Sequence, residues 1–285
     1  MTEPEILSRH NDFIAYVIDK LGTAANDFRE TMDSMSRHGK NGESWRGAGV
    51  LLPLFYRKKD GQGEFVIKLM KRSSSVVQGG DISCPGGMLH PFADPLLRPL
   101  IEVGIPPVLR GKPLAYAKRR GQADFRTISL FLTNAVREAW EELRISPFNV
   151  RFLGPLPSRS LIAFTRIIFP LVGYIRRDWA PKPNWEVEKI LELPLKDFFN
   201  KENYGLYTIE TSYKLRDNIS GFRHFPCFIV KDEHGEEEIL WGATFSIVMS
   251  FFKIVFDFEI PEMNGNRTFN KVLAAEYLTG NQNRK

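Results

Sequence analysis

The segment Arg137-Glu138-Ala139-Trp140-Glu141-Glu142 carries three carboxylates on one side of a predicted helix. At about 100° per residue, Glu138, Glu141 and Glu142 fall within one narrow sector. Glu138 and Glu142 repel each other across four residues, which costs an isolated helix roughly 0.2–0.5 kcal/mol. Three hard oxygen donors suit Mg²⁺ or Mn²⁺, and an ordinary acidic helix surface is the alternative interpretation.

The other side of the same helix is predicted to face the core. Val136, Trp140 and Leu143 cluster there at helical spacing. We expect the helix to begin near Phe125, with Asp124 as its N-cap, because Asp is a favoured residue at that position.

A glycine-rich connection precedes the helix in the sequence. The run Glu64–Met70 is rich in β-branched and aromatic residues, which predicts a strand. Gly79-Gly80, Pro85 and Gly86-Gly87 follow it, a pattern typical of backbone that turns tightly or approaches another group closely.

Taken together, Gly86-Gly87 and Arg137-Glu138-x-x-Glu141-Glu142 resemble the Nudix hydrolase box. Further segments, spread in the family's order over roughly residues 50–253, resemble the coenzyme A diphosphatase branch of that family. They are Lys71–Ser74, Gly79-Gly80, Ile82-Ser83, Leu156–Ser158, Pro170–Ile175, Glu186-Val187, Pro194-Leu195, Phe225–Phe228 and Trp241–Thr244.

The resemblance implies a Nudix α/β/α sandwich with a mixed sheet and a divalent-metal-dependent hydrolysis. Its expected substrate is a nucleoside diphosphate linked to another moiety. Coenzyme A or acyl-CoA would be cleaved to adenosine 3′,5′-bisphosphate and 4′-phosphopantetheine. Other dinucleotides, nucleotide sugars, or a non-hydrolytic ligand-binding or regulatory module are the alternatives.

The resemblance also implies roles for individual residues. Glu138, Glu141 and Glu142 are the expected ligands of Mg²⁺ or Mn²⁺, and Glu141 is also a catalytic candidate. Glu186 is a candidate further ligand or general base, with Glu188 two residues on as its competitor.

Arg137 is expected to brace the catalytic helix. Arg72, Gly86 and Gly87 are candidates for substrate binding: Arg72 through a phosphate, and the two glycines because they allow close backbone approach.

Two features depart from the family pattern. Arg137 lies 50 positions after Gly87 instead of about 14, which indicates an insertion of about 36 residues inside the box. The first box Glu is thereby displaced, and Asp94 and Asp124 are both candidates for its replacement. Arg144 replaces the last box Gly, at an expected cost on the order of 1 kcal/mol for a left-handed helix end.

The excess positive charge of the chain is confined to this insertion. Between Pro95 and Thr133 there are seven basic and two acidic residues, so the stretch carries the whole net charge of +5. It could steer a polyanionic substrate or be a solvated surface loop. The stretch lacks a recognisable nucleic-acid-binding module, so we predict no nucleic-acid partner.

Composition is that of a globular protein without disulfides or zinc. The 285 residues are 43% hydrophobic and include only two cysteines, Cys84 and Cys227, which fits a reducing compartment. The N-terminal residues lack the pattern of a signal peptide, and Arg166 and Lys253 interrupt the longest apolar stretches. These observations predict a cytoplasmic protein with no membrane partner.

The predicted organisation has three parts. Residues 1–46 form an N-terminal extension of two helices divided near Gly22-Thr23, and whether they mediate a homodimer stays open. Residues 47–260 form the Nudix domain, with the insertion at about 95–124. Residues 261–285 form a tail with a short amphipathic helix over Asn270–Leu278.

Overall fold

Two long antiparallel strands, β1 (Arg46–Lys59) and β2 (Gln62–Arg72), form the centre of the main sheet in the computed structural model. The predicted strands at 50–56 and 64–70 lie within them. The structure describes residues 4–40, 45–59, 61–161, 165–215, 219–232, 234–263 and 267–273.

The main sheet has eight strands of mixed direction. Its central order is β3-β2-β1-β7-β5, with β4 added to β1, β6 to β7 and β8 to β2. The β1–β7 pair is parallel and the other pairs are antiparallel. The six strands besides β1 and β2 are β3 (Ile82–Ser83), β4 (Gly86–Met88), β5 (Val150–Pro155), β6 (Arg159–Leu161), β7 (Arg166–Ile175) and β8 (Val187–Pro194).

Alternate residues of β1 pack against different helical layers. Leu51 and Phe55 pack in one core with residues of α5 (Gln122–Leu143), the helix that carries the three glutamates, and of α2 (Phe28–Lys40). Val50, Leu52 and Leu54 join the core with α1 (His10–Thr23) and α6 (Gly242–Phe256). This alternation follows the two-residue period of a strand and produces three layers, so the predicted mixed α/β/α architecture is confirmed.

A second sheet lies beyond β8. It has four strands in the order β11-β10-β9-β12, and β10 and β11 are antiparallel neighbours. Sequence reasoning missed β9. The strands are β9 (Tyr204–Leu215), β10 (Ile219–Lys231), β11 (Glu237–Leu240) and β12 (Arg267–Leu273).

The predicted helix over Asn270–Leu278 is wrong where it can be compared. Asn270–Leu273 belong to β12, which pairs in parallel with β9, and residues 274–278 lie outside the described residues. Thr268, Phe269 and Val272 are typical strand residues, and the available edge of β9 outweighs the helical spacing that the sequence suggested.

The insertion folds into two helices, α3 (Ala93–Glu102) and α4 (Gly111–Arg119). Both pack against α5, and Ile101, Val108, Leu109 and Ala117 join the core under that helix. Among the described residues, none of the helices is both long and apolar enough to cross a membrane.

Candidate active site

Helix α5 begins earlier and exposes more of one aromatic side chain than the sequence predicts. It starts at Gln122 with Gly121 as N-cap, so Asp124 is inside the first turn instead of capping it. Val136 and Leu143 are buried as expected, but Trp140 is 42% exposed. Trp140 instead lies under the Arg144 guanidinium, 5.4 Å from its ring centre, so its aromatic face packs on a neighbouring charge.

Strand β4 brings the two glycines of Gly86-Gly87 against α5. The Gly86 N–H donates to Oε2 of Glu142 over 2.8 Å. A Cβ atom at position 87 would lie 2.6 Å from the carboxyl carbon of Glu138, so any side chain there would displace that glutamate. Gly86 has φ of 153°, a backbone conformation that L side chains rarely adopt.

Asn134 fixes the spacing between α5, β1 and β4, a role that sequence reasoning missed. Its Oδ1 accepts from the Gly49 N–H over 2.6 Å, and its Nδ2 donates to the Met88 carbonyl over 3.2 Å. The side chain is fully buried. An amide within the apolar face of α5 is the signal that could have identified it, because buried amides need partners.

Glu142 is the most buried of the three glutamates, with 3% of its surface exposed. Burial, together with the charge of Glu138, raises the pKa of Glu142 to about 8, and the Gly86 hydrogen bond acts in the opposite direction. Burial also raises the pKa of Glu138. Two neighbouring carboxyls in a low-dielectric site therefore favour the arrival of positive charge.

Arg137 contacts three carboxylates at once. Its Nε donates to Asp94 Oδ1 over 2.8 Å, its Nη2 to Glu138 Oε1 over 2.8 Å, and its Nη1 to Glu141 Oε1 over 3.0 Å. Asp94 is fully buried and also accepts the His90 N–H over 2.7 Å. Of the two aspartates left open by the sequence, Asp94 lies at the site. Asp124 lies 13 residues before Arg137 on the same helix, roughly 20 Å along its axis.

Glu186 and Glu188 occupy different surroundings. Strand β8 begins at Val187, so Glu186 precedes the strand. The two glutamates therefore do not lie on one face of a strand, as their spacing of two residues suggested. The Glu186 carbonyl accepts the Ser73 N–H over 2.8 Å, and its charge contributes to the raised pKa of Glu142. Glu188 instead pairs with Lys71 over 3.0 Å.

Asn184 connects the Glu186 segment to α5 by two hydrogen bonds. Its N–H donates to the Glu142 carbonyl over 3.0 Å, and its side-chain Oδ1 accepts the Glu186 N–H over 2.9 Å. Arg72 approaches from β2, where its Nε donates to the Val77 carbonyl over 3.0 Å. The positive charge of Arg72 lowers the pKa of Glu142 and therefore lies within electrostatic reach of it.

The carboxylates are not arranged as a finished metal site. Among the described residues, no three or more His, Cys, Asp or Glu side chains lie together in a way that could hold a metal ion. Glu138 and Glu141 point to Arg137 instead. The donor chemistry nevertheless fits Mg²⁺ or Mn²⁺: all three side chains supply hard oxygens, and burial raises the pKa values of Glu138 and Glu142.

A separate cavity of about 490 Å³ lies between α6 and β10. Its lining is mostly apolar, includes Phe245, Met249 and Phe258, and contains none of the glutamates of α5. The cavity is therefore distinct from the candidate active site.

No protein-family model matches the chain. The curated protein "Uncharacterized Nudix hydrolase NudL" of Pectobacterium atrosepticum is 30% identical over 130 residues, which is 45% of this chain and 60% of that protein. The chain thus spans less than two thirds of the length of this relative.

Several solved Nudix structures resemble parts of the chain. A MutT/Nudix family protein from Enterococcus faecalis gives a TM-score of 0.40 at 13% identity, covering 81% of this chain and 73% of that one. The Ap4A hydrolase of C. elegans gives a TM-score of 0.32 at 13% identity, covering 53% of this chain and 82% of that one. The Nudix domain of Shewanella oneidensis NrtR, solved with ADP-ribose, gives 0.31 at 12% identity, covering 56% and 79%.

Proposed function

We propose that this chain is a Nudix pyrophosphohydrolase that cleaves a nucleoside diphosphate linkage with the help of a divalent cation. The observation that carries the proposal is the contact between β4 and α5. There Gly86 binds the buried carboxyl of Glu142, and Gly87 leaves room only for the carboxyl of Glu138.

The chemistry required is charge neutralisation on the diphosphate and a nucleophilic water. A bound Mg²⁺ or Mn²⁺ supplies both when present, and Glu138, Glu141 and Glu142 would hold it. Glu141 is half exposed and Arg137 holds it through a single ion pair, so its side chain is the one free to turn from that arginine to the cation. Before a cation binds, Arg137, which Asp94 also holds, keeps this carboxylate beside Glu138.

Glu186 is the proposed general base or further ligand. Its backbone is fixed on both sides, to Ser73 and to Asn184, which holds it beside the C-terminal half of α5. Arg72 lies close enough to influence the charge of Glu142 and is the proposed contact for a substrate phosphate.

The proposed substrate is coenzyme A or an acyl-CoA, which rests on the segments between Lys71 and Thr244 that resemble the diphosphatase branch. The decisive experiment is a product assay with Mg²⁺ or Mn²⁺ across CoA, acyl-CoA, ADP-ribose, NADH and diadenosine polyphosphates. We expect adenosine 3′,5′-bisphosphate from CoA and its loss on addition of EDTA. Turnover of another diphosphate would retain the reaction class and remove the CoA assignment. Folded, metal-binding protein without any turnover would favour a ligand-binding module.

The ligand set is tested by Glu141→Gln and Glu142→Gln. Loss of a metal-bound carboxylate should lower the metal-dependent rate on the order of 10³-fold, since it removes several kcal/mol of barrier lowering. Glu188→Gln is the matched control, because Glu188 pairs with Lys71 outside the glutamate cluster, and we expect it to keep its rate. If both α5 variants keep full turnover, the proposed ligand set is wrong.

A further inference from the structure

The outward side of α3 is apolar along its whole length. Phe92, Leu96 and Val103 are 80%, 77% and 70% exposed, and Leu100 and Ile105 are about half exposed. In sequence order Phe92, Leu96, Leu100 and Val103 are separated by four, four and three residues, which places them on one stripe of the helix. We call these five residues the apolar ridge. Most exposed apolar side chains on a soluble protein are scattered singly, so such a ridge indicates an interaction surface.

The inward side of α3 carries two acidic residues, Asp94 and Glu102, beside the buried Ile101. Asp94 in the first turn pairs with Arg137 over 2.8 Å. Glu102 in the last turn accepts the Ser129 hydroxyl over 2.6 Å. These contacts at both ends fix the rotation of the helix, so the ridge cannot turn into the core without breaking a buried ion pair.

Basic residues surround the ridge. Arg98 lies on α3 itself and pairs with Glu102 over 3.2 Å. Arg110 is exposed and donates to the Gly104 carbonyl over 2.7 Å, beside the C-terminal end of the ridge. Arg126 is exposed on α5, one turn before Ser129. Asp94 pairs with Arg137 and Glu102 pairs with Arg98, so the arginines offered to a partner beside the ridge are Arg110 and Arg126.

We propose that the apolar ridge and its flanking arginines dock the protein on an anionic lipid surface. A protruding helix with side chains this exposed suits the boundary between headgroups and acyl chains, where apolar residues insert and basic residues contact anionic headgroups. Each arginine near such a surface raises partitioning about fivefold. A second copy of the chain is the less suitable occupant, since symmetric pairing of the ridge would bring like charges together.

This surface lies next to the proposed active site because Asp94 on α3 holds Arg137 of α5. Docking through α3 would therefore present the diphosphate site close to the membrane. The prediction of no membrane partner concerned membrane-spanning segments, which peripheral docking does not need. The inference does not depend on which diphosphate is cleaved.

The test is sedimentation of the full chain with vesicles of phosphatidylcholine and phosphatidylserine, compared with phosphatidylcholine alone. We expect binding to the anionic vesicles that weakens as salt is raised. The variant L96S/L100S/V103S should lower binding by about tenfold or more. Phe148→Ser is the matched control, because Phe148 is 65% exposed but lies outside the ridge, and it should bind as the natural protein does.

Thermal melting of the triple variant checks that it folds, and all three changes are at exposed positions. Absence of binding to either vesicle, or equal binding by the triple variant, would overturn the proposal. A dimer in light scattering that the triple variant dissociates, without vesicle binding, would identify a second copy as the occupant. An effect of the triple variant confined to long-chain acyl-CoA in vesicle-free solution would identify the substrate chain instead.

Discussion

At the scale of single residues, Arg137 depends on a carboxylate that the insertion moved far away in sequence. Asp94 is fully buried and contacts the Arg137 guanidinium through both carboxylate oxygens, at 2.8 and 3.2 Å. We therefore predict that Asp94→Asn lowers the free energy of unfolding by about 2 kcal/mol, since it leaves a partly buried guanidinium with weaker partners. The rate of metal-dependent turnover should also fall, because Arg137 would no longer hold Glu141 in place.

Asp124→Asn is the matched control for this change. Asp124 is half-buried in the first turn of α5, far from Arg137, and its replacement should change the free energy of unfolding by no more than about 0.5 kcal/mol. Urea unfolding and initial rates measure both variants. Equal effects of the two changes would show that Asp94 has no special relation to Arg137.

Arg144 shows what the loss of the usual glycine costs at the end of α5. Arg144 has φ 57° and ψ 33°, the left-handed conformation in which glycine is strain-free. Its guanidinium lies over the Trp140 ring and offsets part of the strain. We predict that Arg144→Gly is more stable than Arg144→Ala by about 1 kcal/mol, because both lose the ring contact and only glycine relieves the backbone.

The comparison of these two variants by thermal unfolding isolates the backbone contribution. An alanine variant as stable as the glycine variant would mean that position 144 leaves the left-handed region when its side chain is removed.

At the scale of elements, the β2–β8 pair carries a cluster of charges between its strands. Lys68 and Glu192 lie directly opposite each other, 2.8 Å apart, and Arg57 approaches the other oxygen of Glu192 to 2.6 Å. Burial raises the pKa of Glu192, but Lys68 and Arg57 outweigh that effect and the pKa is lowered. A carboxyl with a lowered folded-state pKa stabilises the fold above its usual pKa of about 4.5, and this stability is lost as pH falls below it.

Glu192→Gln should therefore destabilise the protein by about 1–2 kcal/mol near pH 7, after allowance for the exposed third of the side chain. The difference from the natural protein should shrink as pH falls below about 4, because Glu192 becomes protonated there whereas the glutamine of the variant is uncharged at every pH. Urea unfolding at the two pH values measures it, with Glu202→Gln in an exposed turn as control. A difference that stays constant with pH would contradict the assignment.

The elements that the sequence predicts correctly are those whose pattern is local. The β-branched and aromatic residues of β2 and the apolar spacing of α1 are properties of short windows, and the structure has the strand and the helix there. Trp140 was predicted to be buried because it lies on the apolar face of the helix. Helical spacing gives only the direction of a side chain, and burial also requires another element to pack against that face. Asp94 could not be chosen over Asp124 from sequence, because the fold of the insertion decides which aspartate reaches Arg137.

The helical insertion itself was predicted only as a basic stretch. Pro95 and Pro99 lie within α3 and lower its helix propensity, although its exposed apolar residues recur at helical spacing. The packing of Ile101 and the polar contacts at the two ends of α3 stabilise this helix where its helix propensity is low.

At the scale of the whole molecule, the N-terminal helices share one core with the sheet. Phe13, Val17 and Leu21 of α1 are fully buried and belong to the same cluster as Val50 and Leu52 of β1. The apolar face of α1 is thus occupied within the chain. We infer that α1 folds together with the main sheet and is not an independent unit.

Removal of one side chain from this shared core tests that inference. Phe13 packs against Phe65 of β2 at 4.5 Å between ring centres and is fully buried, so Phe13→Ala should lower the free energy of unfolding by about 3–5 kcal/mol. Phe148→Ala, at an exposed site, should change it by less than about 0.5 kcal/mol. Because the core is shared, the loss should appear as one transition at lower urea, seen equally in helical circular dichroism and tryptophan fluorescence. An early transition in the helical signal alone, with the fluorescence midpoint unchanged, would mean that α1 unfolds separately from the sheet.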